Sequence, residues 1–255
     1  MTTPVGRLVV LSGPSCVGKS PLAKALAKFH PDLFARLAPL VLCNSRDPRP
    51  GERDGVDYHF RTRAQVESLR YDKRYVVVDV RGDLQALDLA NLQELSGRGD
   101  VFFEGNPTAG LAILRHPSLA DVPRLSAFLA PLSQEEISFL KSKAEPGSLK
   151  DLVTEVMRRK LLRRTRRQKG ELSVKDLENI ERRAGSAYSE LQQAHHFGQV
   201  IPNHDGEDSE NWDAFYYPIG EARAALEIVA ARVEGAVRPS VEVWEEGLVP
   251  GAPVK

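Results

Sequence analysis

The segment Gly13-Pro14-Ser15-Cys16-Val17-Gly18-Lys19-Ser20 fits the pattern G-x-x-x-x-G-K-[ST], whose residue types suit the holding of a polyphosphate. Gly13 and Gly18 permit backbone conformations and a close approach that a Cβ would block. The loop amides and the N-terminus of the next helix then aim positive dipoles at phosphate oxygens. Lys19 can reach the β- and γ-phosphates of a nucleoside triphosphate, and the Ser20 hydroxyl can join the shell of a magnesium ion. The apolar run Leu8–Leu11 reads as the strand before such a loop. Leu22, Ala25, Leu26 and Phe29 give the helix predicted over Ser20–Phe29 a buried face. Pro21 falls in the first turn, where its missing N–H costs little.

A second group lies in Asn44–Phe60, which reads NSRDPRPGERDGVDYHF. Arg46 and Arg49, three apart and stiffened by Pro48 and Pro50, can present fork-like donors to one phosphate monoester. Tyr58 can add a hydroxyl to the same group. Taken alone, the segment reads equally as a basic, proline-rich surface loop.

Together with GPSCVGKS upstream, this segment resembles the guanylate kinases, whose acceptor segment reads approximately TTRxPRPGExxGxDYxF. The resemblance runs from about residue 5 to residue 235 and is densest over the first 60. It implies a three-layer α/β P-loop kinase fold with a parallel sheet. The acceptor-binding subdomain is expected over residues 44–85 and a mobile helical lid over residues 133–185. The implied reaction is ATP-dependent phosphoryl transfer to a nucleoside monophosphate, GMP or dGMP. By position, Arg46, Arg49 and Tyr58 hold the acceptor phosphate, and Glu104, closing Val101-Phe102-Phe103-Glu104, stands near magnesium. Arg183, in Asn179–Arg183, reaches the transferring phosphate, and Asn203, after Val200-Ile201-Pro202, lies close to the adenine.

The departures from the family fall on base recognition. Leu42 stands where the family has a serine, four residues before the first arginine, and cannot hydrogen-bond. Asp79 is the candidate for an acidic reader after the third strand. The Tyr-Gly-Ser element has no counterpart, and Gln85-Ala86-Leu87 lies about where it belongs. Asn106 replaces an aspartate beyond the fourth strand. A site that loses polar partners loses discrimination. This leaves three readings open beside GMP: another nucleotide, a phosphorylated acceptor such as a ribose phosphate, or a weakened enzyme serving as a module that binds a protein or phosphopeptide. The intact Lys19 and Ser20 favour an enzyme, since such a module needs neither.

From Arg158 to Lys169, eight of twelve residues are Lys or Arg. Three readings fit: lid arginines that stabilise charge on the transferring phosphoryl group, a solvated helix face, or a polyanion-binding stripe. Position in the chain selects the lid, with Arg164 and Arg167 as the candidates. Cys16 reads as a small filler. His195-His196 reads as a helix end, and Arg81-Gly82-Asp83 as a turn.

These residues need a scaffold. Apolar runs at Leu8–Leu11, Leu40–Cys43, Tyr75–Val80, Val101–Phe103, Leu125–Leu129 and Val200–Ile201 alternate with helical patterns. Helices are predicted over Thr62–Leu69, Leu84–Leu95, Gln134–Lys143, Leu149–Arg167, Val174–Ala194 and Gly220–Val233. Continuous apolar runs between helices predict a parallel, doubly wound sheet. Two stretches look inserted: Ser133–Leu172, broken at Pro146-Gly147, and the acidic, aromatic Asp205–Tyr217. The kinase-like domain is expected over residues 1–237 and a loosely held tail over residues 238–255.

Composition agrees with a globular chain: of 255 residues, 42% are hydrophobic and 27% charged. Basic and acidic residues balance at 35 each, so net charge gives no argument for a nucleic-acid or membrane partner. Two cysteines are too few for a disulfide framework or a zinc site, which points to a reducing cytosol. No apolar run approaches the roughly 20 residues of a membrane span. The expected partners are therefore ATP and a small phosphorylated acceptor.

Overall fold

The computed structural model describes residues 6–49, 51–143, 148–236 and 241–251. Its strands are β1 (Leu8–Ser12), β2 (Leu37–Pro39), β3 (Cys43–Asn44), β4 (His59–Phe60), β5 (Tyr75–Val80), β6 (Asp83–Asp88), β7 (Asp100–Gly105), β8 (Arg124–Ala130) and β9 (Gln199–Pro202). Its α-helices are α1 (Lys19–Phe29), α2 (Pro31–Phe34), α3 (Arg63–Ser68), α4 (Leu89–Ser96), α5 (Pro107–Leu114), α6 (Gln134–Lys143), α7 (Ser148–Lys169), α8 (Val174–Leu191) and α9 (Gly220–Val233).

The main sheet runs β2-β7-β1-β8-β9, with every pairing parallel. All five residues of β1 are buried, which is why its sequence is continuously apolar. The loop that follows β1 therefore emerges at the carboxyl edge of the sheet, where the strand ends of open α/β sheets form their crevice.

A second sheet, β4-β3-β6-β5, carries the acceptor segment. Here two expectations change. The helix predicted over Leu84–Leu95 begins only at Leu89, because Asp83–Asp88 pairs antiparallel with β5 from Val80↔Asp83 to Tyr75↔Asp88. A two-residue turn makes that hairpin: Arg81 at φ 59° and Gly82 at φ 85° supply the two left-handed residues of a type I′ turn. Asp88 then caps α4 through Ala90 and Asn91 N–H. Of the strand expected over Leu40–Cys43 only Cys43 lies in a strand, β3, while residues 40–42 cross from β2 of the main sheet to β3 of the second.

Helix α5 was not anticipated. It starts where Asn106 accepts from Thr108 N–H and Pro107 takes the first helical position. The 133–172 stretch forms α6 and α7. Leu149, Val153, Met157 and Leu161, four apart, bury one stripe of α7 and leave Arg159, Arg163, Arg166 and Arg167 outward. The break expected at Pro146-Gly147 lies outside the described residues, as does Pro50.

The tail is corrected over residues 241–251. Glu242 forms an antiparallel bridge with Val200 on the open side of β9, and Trp244 and Val249 are buried in the main core. Pro250 carbonyl accepts from Tyr188 hydroxyl at 2.8 Å and from Gln192 Nε2 at 2.5 Å. Buried aromatic area and these bonds offset the ordering cost that a proline-containing composition alone implied. Residues 237–240 and 252–255 lie outside the description.

Candidate active site

The loop after β1 is shaped by close contacts. A Cβ on Gly13 (φ 149°) would meet Leu129 carbonyl at 2.4 Å, and one on Gly18 (φ 98°) would meet Asn203 Nδ2 at 2.6 Å. Lys19 is buried and folds back, its Nζ donating to Gly13 carbonyl at 2.9 Å and Pro14 carbonyl at 2.6 Å. Burial lowers its pKa, opposed by Glu207 and Glu104. Ser20 hydroxyl donates to Glu104 Oε1 at 2.7 Å. Burial raises the Glu104 carboxyl, more than Ser20 and Lys19 lower it.

A cavity of about 350 Å³ opens in front of this loop and runs to the second sheet. Arg46 and Arg49 line its far side with Tyr58. Glu52 organises them. Its oxygens take both terminal nitrogens of Arg46, at 2.6 and 2.7 Å, and also accept Arg49 N–H at 2.7 Å. Burial works against the charge of Arg46, but this hydrogen-bonded pair carries it above the usual arginine range. Arg49 has the opposite balance. Burial and the neighbouring Arg46 bring it down to about 10, with Glu52 3.8 Å from its guanidinium. The Tyr58 ring lies 5.2 Å from the Arg46 guanidinium carbon.

Helices α7 and α8 close the cavity. Ser173 caps α8 in a reciprocal capping box with Asp176, and the buried face of that helix carries Arg183 inward. Arg183 Nε donates to Ser15 hydroxyl at 3.0 Å, and burial with Arg49 and Arg164 nearby brings it well below the usual range. Arg164 lines the cavity from α7, its Nε buried and without a partner among the described residues. Two donor-bearing loops, the arginines Arg46, Arg49, Arg164 and Arg183, and the Glu104 carboxylate thus line one space, an arrangement suited to anionic groups.

The cavity brings together Gly13, Ser15, Cys16, Lys19, Ser20, Arg46, Arg49, Tyr58, Glu104, Asn106, Arg164 and Arg183 of the residues singled out from sequence. Others serve the frame. Pro14 accepts from Lys19, and Val17 is fully buried. Asn203 is fully buried, and Nδ2 is spent on Val17 carbonyl at 2.8 Å and Asp205 carbonyl at 2.7 Å, which leaves it as a brace rather than a contact for adenine. Asp79 is exposed and accepts Gly82 N–H at 2.7 Å, serving the hairpin turn. Arg167 points away from the cavity to Glu210, 3.1 Å distant. Cys16 is buried, and its thiol is pushed far up by burial, which makes it an inert filler.

Asn106 reaches the cavity wall with both ends engaged. Its Oδ1 caps α5 and its Nδ2 donates to Glu190 Oε1 at 2.9 Å. Glu190, itself buried, also holds Arg81 through two bonds of 2.6 Å. Sequence reading missed Glu190 and Arg81 because a helix position and a turn carry no sign of being neighbours. It also assigned nothing to Glu207, although the acidic character of the 205–217 loop was visible. Among the described residues no group of three or more His, Cys, Asp or Glu side chains is placed to hold a metal ion, and no helix is long and apolar enough to cross a membrane.

The sequence model of a family described as guanylate kinase matches residues 5–77, which span both Gly13–Ser20 and Asn44–Phe60. A guanylate kinase of Corynebacterium diphtheriae is 31% identical over 204 residues, covering 80% of this chain and 90% of that one. A guanylate kinase of Corynebacterium jeikeium is 47% identical over 81 residues, covering 31% of this chain and 41% of that one. The crystal structure of guanylate kinase from Anaplasma phagocytophilum matches with a TM-score of 0.50 and 18% identity, covering 91% of this chain and 84% of that one; this likeness bears on the fold.

Proposed function

The chain belongs to the guanylate kinase family, and on that premise we propose that the cavity catalyses ATP-dependent phosphorylation of GMP to GDP, and of dGMP to dGDP, with the residue roles that follow. The observation that carries the proposal is the opposition of Arg46, Arg49 and Tyr58 to Lys19 and Ser20 across one cavity. Lys19 and the loop amides hold the donor polyphosphate, exchanging the present bonds of Lys19 to Gly13 and Pro14 carbonyls for phosphate oxygens. Arg46, fixed by Glu52, and Arg49, less firmly paired, hold the acceptor phosphate with the Tyr58 hydroxyl.

The acceptor oxygen is already anionic, so no general base is needed. Rate comes from alignment and charge stabilisation. Arg183, reaching Ser15 from α8, and Arg164 from α7 supply the positive charge between the two phosphate sites. The donor set of Ser20 hydroxyl and Glu104 carboxylate fits magnesium, because both offer hard oxygens and Glu104 is a half-buried carboxyl facing the cavity without a basic partner in hydrogen-bonding contact. When bound there, magnesium would neutralise charge on the β- and γ-phosphates. With Cys16 and Cys43 both free thiols, the same proposal sets the reaction in a reducing cytosol.

The test is coupled ATP turnover with GMP, dGMP, AMP, UMP, CMP and ribose phosphates, for the parent and Arg49→Ala. Turnover with GMP and dGMP is expected, and kcat/KM for GMP in the variant is expected to fall by a factor of about 100, the cost of a charge-assisted contact to phosphate. Turnover confined to another acceptor would overturn the substrate, and none at all the activity.

A further inference from the structure

The acidic loop between β9 and α9 lies between the phosphate-binding loop and the basic helix α7. Gly206 marks how close it comes: a Cβ there would stand 2.1 Å from Cys16 carbonyl and 2.9 Å from Lys160 Cε. Asp208, with its side chain almost fully buried, anchors the loop, with Lys160 Nζ at 3.2 Å and Arg163 at 3.4 Å. Lys160 Nζ also donates to His204 carbonyl at 2.6 Å. Trp212 Nε1 donates to the carbonyls of Asp205 and Gly206, at 2.8 and 3.1 Å, and fixes the turn.

Glu207, between Gly206 and Asp208, is thereby directed into the cavity, whose wall it shares with Lys19, Arg164 and Arg183. Its Oε2 is buried and has no hydrogen-bond partner among the described residues, and so does the Nε of Arg164. A buried carboxylate oxygen without a donor is costly, and here the positive charge of Lys19, Arg164 and Arg183 on the same cavity wall offsets that cost without pairing with it at contact distance among the described residues. Lys19 is the cation assigned above to the donor phosphates, and Arg164 and Arg183 are those assigned to the charge between donor and acceptor, next to the terminal phosphate. Electrostatically, a carboxylate among a P-loop lysine and two arginines does what a terminal phosphate does there.

We propose that Glu207 determines donor affinity by standing in for the terminal phosphate of the nucleoside triphosphate, so that ATP binds by displacing its carboxylate. This rests on the donor assignment of the proposed function but not on the identity of the acceptor. The displacement discriminates between nucleotides. A triphosphate must take the place of the carboxylate, whereas a diphosphate leaves that place to Glu207. The loop therefore weakens ATP relative to ADP, and it keeps the arginines of α7 and α8 neutralised until a donor arrives.

The test is calorimetric titration, without acceptor, of the full chain and of Glu207→Gln with a non-hydrolysable ATP analogue and with ADP, each with magnesium. If the carboxylate fills the place about nine-tenths of the time, its neutralisation tightens the analogue by about tenfold and ADP by less than about threefold. Asp208→Asn, which loosens the anchor while retaining Glu207, shifts the analogue in the same direction. Equal tightening of both nucleotides, or weaker analogue binding by Glu207→Gln with an unaltered melting temperature, overturns the proposal. A chain that shows the expected selectivity yet fails to phosphorylate GMP would sink the acceptor and leave this inference standing.

Discussion

Glu104 and Glu52 are carboxylates a few residues' reach from the same arginines and lysine, yet their environments push them apart. Glu52 is held below its usual range by its bonds to Arg46 and Arg49 N–H, whose effect exceeds that of burial. Glu104 is raised by burial. A carboxyl raised in the folded state favours its neutral form, so its ionisation lowers stability above the ordinary value near 4.5, and the cost is absent below it. Glu104→Gln should therefore raise the melting temperature of the nucleotide-free protein at pH 7 by about 2 °C, and the difference should close below about pH 4. The same variant should lose about 100-fold in kcat/KM through the metal shell. A melting temperature that falls at pH 7 would show that Glu104 stabilises the fold instead. At this scale spacing in the sequence was enough to single out Lys19, Ser20, Arg46 and Arg49, which the fold brings to one cavity. Spacing was not enough where a nearer partner takes the group first: Asn106 by Thr108 and Glu190, Asn203 by Val17 and Asp205, and Asp79 by Gly82.

The elements divide in the same way. Strand β1 and helix α1 follow from local pattern, because both of their environments are uniform: buried on two faces, or on one stripe. Residues 84–88 misled because their helix-like run of apolar residues meets a partner strand only through the Arg81-Gly82 turn, whose left-handed arginine is not a residue that announces itself. Helix α7 was recognised, but its basic character admitted lid, solvated face and polyanion readings together. The structure divides those arginines and lysines among separate partners: Arg158 to Glu155 and Glu181, Lys160 and Arg163 to Asp208, Arg167 to Glu210, and Arg164 to the cavity. Lys160 is the member on which the packing of α7 against the acidic loop depends, being buried and paired on both sides. Lys160→Met keeps the apolar volume but leaves Asp208 with Arg163 and the Cys16 thiol. The expected loss is about 3 kcal/mol, the lower end for breaking a buried ion pair, because Arg163 partly compensates. Urea unfolding of parent and variant measures it, and a loss under about 1 kcal/mol would mean that Asp208 is held by other contacts.

At the scale of the molecule, the open side of β9 is the place where a parallel sheet would be left with unpaired backbone groups, a template for pairing with another chain. The segment 241–251 covers it. Val200 and Glu242 exchange N–H···O bonds of 2.7 and 2.8 Å, and Trp244 donates to the Glu242 carboxylate, which also accepts Gln134 N–H at the start of α6. Lys141 reaches Leu248 carbonyl at 3.0 Å, so α6, α8 and β9 all meet through this segment. Periodicity could not reveal this, because the segment binds through two buried side chains and a few backbone bonds rather than a repeating face. Burial of Trp244 and Val249 contributes about 4 kcal/mol by area, an upper figure against an extended unfolded chain. A chain ending at residue 240 should accordingly melt about 10 °C lower, and should associate at high concentration through the exposed side of β9. Differential scanning calorimetry with light scattering decides it. A truncated chain that melts within about 2 °C of the parent and stays monodisperse would show that β9 is closed by the core alone, and that the segment rests on the fold without supporting it.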